Sequence, residues 1–238
     1  MAREAAADDR VSIGQRLAHV RERIERAAEA CGRDPTGVRL VAISKTQPPE
    51  RIREAYVAGQ RAFGENYAQE LASKAEALAD MSGLEWHFVG HLQTNKAKIV
   101  AKYAHVVHSL DSAVLGRELG KRVAREGRTR PLPVLVEVNV EGEPQKGGVA
   151  PGELAELLAA VRAESTLQLR GLMTVPPAEG LAVARRVFEA VLTLRNLHGG
   201  AALMPELSFG MTADLEVAIA CGATIVRVGV GVFGPRGR

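Results

Sequence analysis

The sequence predicts a single-domain (β/α)8 barrel, an α/β TIM barrel, with one extra helix in front. Three observations carry this expectation. Eight apolar runs rich in branched residues alternate with helical patterns, and such alternation implies parallel strands joined by βαβ crossovers. Eight steps of this kind need roughly 200–250 residues to close a barrel, and the chain has 238. The competing open, doubly wound sheet normally carries a glycine-rich phosphate fingerprint after its first strand. Here that position holds Lys45, Thr46 and Gln47.

In chain order, residues 1–11 are polar and expected to be a flexible N-terminus, with 12–238 forming the barrel domain. Ser12 and Gln15 fit a capping box. Ile13, Leu17, Val20, Ile24 and Cys31 recur on one helical face, and Gly32 and Pro35 end that helix. Residues 38–44 (VRLVAIS) read as the first strand and 49–58 as a helix stopped by Gly59. The next strand–helix pairs are 61–64 with 67–79, 85–89 with 95–103, and 106–109 with 112–126. After them come 132–140 with 151–163, 167–173 with 181–198, and 206–209 with 212–221; residues 224–229 form the last strand.

Hydrophobic residues make up 46% and charged residues 25%, as in an ordinary soluble globular protein. The net charge of +3 is spread over several helices with acids among them, whereas a nucleic-acid surface needs a clustered basic patch; no nucleic-acid partner is expected. No apolar run approaches the roughly 18 residues of a membrane span, and MAREAAADDR contains no apolar signal region. A cytoplasmic protein without membrane attachment is expected. Cys31 and Cys221, each directly before a glycine, suggest neither a disulfide framework nor a zinc site; both are expected to be small buried or half-buried thiols.

Functional groups of such barrels come from the C-terminal ends of the strands. Strand one ends in Lys45, strand two in Gly64-Glu65-Asn66-Tyr67, and strand three carries His87 and ends in Gly90-His91. Strand four ends in His108-Ser109-Leu110-Asp111, strand five in Asn139 and strand six in Met173-Thr174. Strand seven ends in Ser208-Phe209-Gly210-Met211-Thr212; strand eight carries Arg227 and ends in Gly229-Val230-Gly231. The turns after strands seven and eight are the usual phosphate site. Ser208, Gly210 and Thr212 precede a helix whose free N–H groups would face an anion, although Thr212 also suits a helix N-cap. Asp214 and Glu216 in the first turn of that helix would weaken its pull.

Closure pairs strand eight with strand one and brings Lys45 beside this turn. A lysine next to a phosphate cradle is arranged for a Schiff base with a phosphorylated aldehyde. An inward Arg227 would meet either the phosphate or the pyridine nitrogen of such an aldehyde. Most lysines are solvated surface groups, but those at 74, 96, 98, 102, 121 and 146 lie on predicted helices or in a loop, and only Lys45 ends a buried strand. His87 and His91 have a spacing that binds metal on a helix. They sit at a strand end with no carboxylate at ligand spacing, so hydrogen bonding at the barrel mouth is expected and no metal.

The segments LVAISKTQP, FGENYAQE, WHFVGHLQTNK, VHSLDS, GLMTV, LSFGMTADLEVAIACGATIVRVG and VFGPR resemble those of the pyridoxal phosphate homeostasis proteins (the YggS/PROSC family), from about residue 38 to the C-terminus. The resemblance implies a fold-type III barrel like the N-terminal domain of alanine racemase, with pyridoxal 5′-phosphate (PLP) held by Lys45 as an internal aldimine. It implies Asn66 near the ring, Ser208, Thr212, Gly229 and the following turn around the phosphate, and Arg227 close to the cofactor. The full candidate set is Lys45, Asn66, His87, Ser208, Gly210, Met211, Thr212, Arg227, Gly229, Val230 and Gly231, with no catalytic residue assigned. Three departures from the family pattern stand out. Val230-Gly231 replaces Thr-Ala, Gly147 replaces a serine after Lys146, and Phe209 replaces a methionine.

Two functions compete. One is a carrier or buffer of PLP for vitamin B6 homeostasis, working with PLP-dependent apoenzymes or PLP-synthesising enzymes and expected to be a monomer. The other is an amino-acid racemase of the alanine racemase type, or a decarboxylase of the same fold type. The carrier is preferred because the sequence ends nine residues after Gly229, leaving no further domain to cover the mouth and supply a second base. A cofactor-independent lysine aldolase is disfavoured because no carboxylate pair is apparent near Lys45.

Overall fold

The computed structural model describes residues 11–235. The expected flexible N-terminus, apart from Val11, lies outside the described residues, as do residues 236–238. Helix α1 (Ile13–Ala30) begins as expected: Ser12 Oγ accepts from Gln15 N, and Gln15 Oε1 accepts from Ser12 N. Its face of Ile13, Leu17, Val20 and Ile24 is buried. Cys31 is an exception, because the helix has ended and it stands exposed at the C-cap; Cys221 is buried.

The barrel strands are β1 (Arg39–Ile43), β2 (Ala62–Glu65), β3 (Glu85–Phe88), β4 (Val106–Leu110), β5 (Leu132–Glu137), β6 (Leu167–Met173), β7 (Glu206–Ser208) and β8 (Ile225–Val228). They close in sequence order, and every neighbouring pair is parallel. The closing register sets Val41 opposite Arg227 and Ala42 opposite Val228. Around the barrel run α2 (Pro49–Val57), α3 (Ala68–Ala77), α4 (Ala97–Tyr103), α5 (Ala113–Arg125), α6 (Leu154–Ala163) and α7 (Leu181–Leu197). Then follow α8 (Gly200–Leu203), α9 (Leu215–Ala220) and α10 (Val230–Phe233). Helix α1 packs on α2, α9 and α10 and so covers the seam where β8 meets β1.

Several differences from expectation have local reasons. Strand β5 stops at Glu137; Val138 keeps only a bridge to Val149, and the Asn139 side chain folds back onto the Glu143 backbone. The helix expected from residue 95 opens with a 3₁₀ turn, Thr94–Lys96. The helix expected from Thr212 starts three residues later, with Asp214 in the N-cap position. Helices α8 and α10 are each four residues long, too short to leave a helical period in sequence.

The main core lies between sheet and helices, with Phe63, Phe88, Phe188, Phe209 and Phe233 fully buried. Phe209 stacks on Phe188 at 4.5 Å between centroids, so its departure from the family methionine falls on packing of α7. A second, small cluster of Val41, Ala62, Val106, Leu135, Met173 and Ile225 fills part of the barrel interior. The remainder of that interior is polar. Among the described residues no helix is long and apolar enough to cross a membrane.

Candidate cofactor site

Successive strand residues face opposite sides of a sheet. On β1, Val41 belongs to the interior cluster and Ala42 to the outer core. Ser44, just past the strand, is fully buried on the outer side, and its Oγ donates to Glu65 Oε1 at 2.6 Å. Alternation assigns the next residue, the half-buried Lys45, to the inner side.

The turn that carries Lys45 is held from behind by ions that sequence reading assigned to a solvated helix. Lys74 on α3 is only 6% exposed. Its Nζ donates to Ser44 O (2.7 Å), Glu65 Oε1 (2.8 Å) and Glu70 Oε2 (2.7 Å). Glu70 Oε2 also accepts from Thr46 N at 2.8 Å. Thr46 has φ of 65°, a left-handed conformation that a β-branched residue adopts only under constraint. Burial raises the Glu65 carboxyl above its usual value, against Lys74 and Ser44. Burial also opposes ionisation of Glu70, but Lys74 and the Thr46 N–H hold its carboxyl below the ordinary range. Glu65 and Glu70 therefore stand near Lys45 on the outer face of β1, where they fix the backbone.

The β8–β1 register delivers the expected juxtaposition. A Cβ on Gly229 would lie 3.4 Å from Ile43 O, so the turn after β8 rests on β1 two residues before Lys45. A Cβ on Gly231 would come within 2.8 Å of Val228 Cγ1 and 3.2 Å of Thr212 Cγ2. Gly231 N donates to Thr212 Oγ1 at 3.3 Å, joining the turns after β7 and β8. Thr212 thus ties two turns together and does not cap a helix. Met211, a member of the candidate set, has its N–H taken by Asp214 Oδ1 at 2.5 Å. Glu216, expected to repel an anion, is paired with Arg23 at 2.7 Å. Gly210 has φ of 97° and a Cβ there would meet Ala218 Cβ at 2.5 Å. Val230 is half exposed at the start of α10.

Arg227 points into the barrel and is 5% exposed. Its Nη1 donates to Ser208 O and Ser208 Oγ, both at 2.7 Å, and Nη2 to Thr174 O at 3.0 Å. Burial lowers its pKa to about 10, with Glu137 and Asp214 opposing, so it stays charged at neutral pH. Ser208, expected at the phosphate, is fully buried and its hydroxyl is occupied by Arg227 and by His108 Nδ1 at 2.9 Å. His87, expected at the mouth, is buried inside the barrel with Nδ1 2.8 Å from His108 Nε2. It does not converge with His91, whose Nδ1 lies 3.4 Å from Asp111 Oδ2. Among the described residues no cluster of His, Cys, Asp or Glu forms a metal site. Asn66 stands two residues past the Ile43–Gly64 pair, as Lys45 does on β1, and its backbone lies so close to Gly90 that a Cβ there would be 2.1 Å from Asn66 O.

Sequence reading missed Glu137, the last residue of β5. In a closed eight-stranded order β5 lies opposite β1, so this carboxyl faces the mouth across from Lys45. Burial raises its pKa from 4.5 to about 7, against Arg227 and with Asp111 reinforcing. The folded state then holds this proton more tightly than the unfolded chain, and stability falls as pH rises from 4.5 to about 7. Glu137→Gln removes that slope: urea unfolding should find the variant the more stable form at pH 8 and equal to the parent near pH 4.5. Parallel stability curves would contradict the assignment.

An amine at a strand end, a glycine turn beside it and a buried guanidinium below form a donor set suited to an aldehyde that also carries an anionic group. Residues 15–237 match the family of the alanine racemase N-terminal domain. The pyridoxal phosphate homeostasis protein of Escherichia coli (strain K12) is 41% identical over 231 residues, covering 94% of this chain and 97% of the relative. That of Aquifex aeolicus is 44% identical over 225 residues, covering 93% and 97%. Among solved structures, PipY of Synechococcus elongatus with PLP bound superposes with a TM-score of 0.81 at 34% identity, covering 94% of this chain and all of PipY.

Proposed function

The chain belongs to the family of pyridoxal phosphate homeostasis proteins, and on that premise we propose that it binds PLP reversibly through Lys45 and carries or buffers it without appreciable turnover. The observation that supports this most is the seating of the Gly229–Gly231 turn on the end of β1, beside Lys45. Bound PLP supplies an aldehyde that forms a Schiff base with an amine; the remaining work belongs to the chain. The glycine turn after β8, braced by the bond from Gly231 N to Thr212, is the seat for the phosphate. Arg227 takes the ring-nitrogen side, since its hydrogen bonds run toward β6 and β7, away from that turn. A fixed cation there disfavours a proton on the ring nitrogen, and an unprotonated ring is a weak electron sink. Asn66 borders the ring from the neighbouring strand. Release to apoenzymes or uptake from PLP-synthesising enzymes then needs only exchange at Lys45, and a monomer suffices.

Val230 tests the phosphate side. Val230→Thr adds a hydroxyl to this turn, and a hydrogen bond to a charged group contributes about 1.5–3 kcal/mol, so PLP should dissociate more than ten-fold more slowly. An unchanged off-rate would mean that this side chain does not reach the phosphate. Racemase or decarboxylase turnover above about 1 s⁻¹, an ordinary enzyme rate, would overturn the carrier reading in favour of an enzyme.

A further inference from the structure

We propose that His87 and His108 are positioning residues for Arg227: two neutral rings, each protonated on Nε2, carrying a one-directional hydrogen-bond chain from Arg227 through Ser208 to His87, whose Nε2 faces Glu85 at the opposite end of the barrel. The inference rests on the cofactor reading only in taking Arg227 as a cofactor contact.

The direction follows from the donors. A guanidinium only donates, so Ser208 Oγ accepts from Arg227 Nη1 at 2.7 Å. The one Ser208 hydrogen then goes to His108 Nδ1 at 2.9 Å. A neutral His108 carries its proton on Nε2 and donates to His87 Nδ1 at 2.8 Å. His87 in turn carries its proton on Nε2, which lies 3.7 Å from Glu85 Oε2 and makes no hydrogen bond of its own. The reversed chain leaves Ser208 accepting twice with its hydrogen unused, and turns a bare His87 lone pair toward the Glu85 carboxylate. A cation at one end and an anion at the other therefore select one polarity. Both rings are completely buried, and burial lowers the pKa of each, as neutral rings require. The Glu85 end is open to solvent: Glu85 is 3.2 Å from Arg39, and both line an open cavity with His105, Arg128, Arg170 and Glu206.

The chain gives the polar barrel interior a task. Ser208 is kept as an acceptor toward Arg227, so the guanidinium is held at three points, with its plane set before any ligand arrives. Preorganisation of this kind is felt as residence time.

The test has two arms. In cofactor-free protein at neutral pH, ¹⁵N-resolved NMR of the histidine rings should show His87 and His108 both protonated on Nε2 and bare on Nδ1. A proton on Nδ1 of either ring sinks the proposal. In the second arm, His108→Gln keeps a donor near the Nε2 position but leaves Ser208 without an acceptor. It should speed PLP release about ten-fold, the factor for about 1.4 kcal/mol. His108→Asn restores an acceptor near the Nδ1 position and should recover most of that loss. Equal effects of the two variants would reduce His108 to a space-filling residue and overturn the positioning role. Because the rings are read without cofactor, a wrong tautomer defeats the chain whether or not PLP binds. Correct tautomers in a protein that fails to retain PLP would defeat the cofactor reading alone.

Discussion

Lys74→Met lowers the unfolding free energy by about 3–5 kcal/mol, the range for breaking a buried ion pair by removing one partner. Lys74 donates to three oxygens around the Lys45 turn. Without it, Glu65 keeps only the Ser44 hydroxyl on Oε1, while Oε2 already lacks a partner. The buried carboxyl must then take up a proton. Glu70 would remain as the acceptor for Thr46 N, but it would lose the cation that helps hold its carboxyl below the ordinary range. The left-handed Thr46, a strain of about 1–3 kcal/mol, would then be free to relax and carry Lys45 with it. Faster PLP release should accompany the loss of stability. Urea unfolding measures the first effect, and the double variant Glu65→Leu with Lys74→Met separates the causes. Replacing both ions by apolar residues should recover most of the stability but not the anchored turn. A loss below about 1 kcal/mol in the single variant would show that the cluster is solvated.

Lys45→Ala should abolish retention of PLP through gel filtration while changing stability by no more than about 1 kcal/mol, the usual scale for a site away from the core. Lys45 lies in a turn, half-buried, and its backbone is held by the Lys74 cluster on the other face of β1. The turn after β8 and Arg227 survive the change, so added PLP should still bind, but as a rapidly exchanging ligand. Tight retention by Lys45→Ala would place the amine elsewhere. Lys146 on the far side of the mouth, 3.3 Å from Val175 O, would be the next lysine to examine.

Much of the barrel was legible because its signals are local. Strand runs bounded by glycine and proline, a capping box at Ser12 and the lysine ending VRLVAISK are all short-range patterns. Closure by eight strands then supplied the one long-range contact that matters, Lys45 beside the β8 turn. What escaped was chemistry that depends on partners distant in sequence. Lys74 reads as a surface lysine until Glu65 and Ser44 are seen to face it, since only pairing permits such burial. Ser208 reads as a phosphate ligand until Arg227 is found to occupy its hydroxyl. Thr212 reads as an N-cap because the helix start is ambiguous by a turn, and Asp214 wins the position. Glu137 escapes because the apolar run suggests a strand to residue 140, and because its environment is assembled from β8, the end of β4 and two loops.

Borohydride reduction of the purified protein loaded with PLP, followed by peptide mapping, asks directly whether Lys45 is the amine that holds the cofactor. Reduction should remove the violet-edge absorption and leave a stable pyridoxyl phosphate adduct on the peptide containing Lys45. An adduct on another lysine, or none, would contradict that assignment.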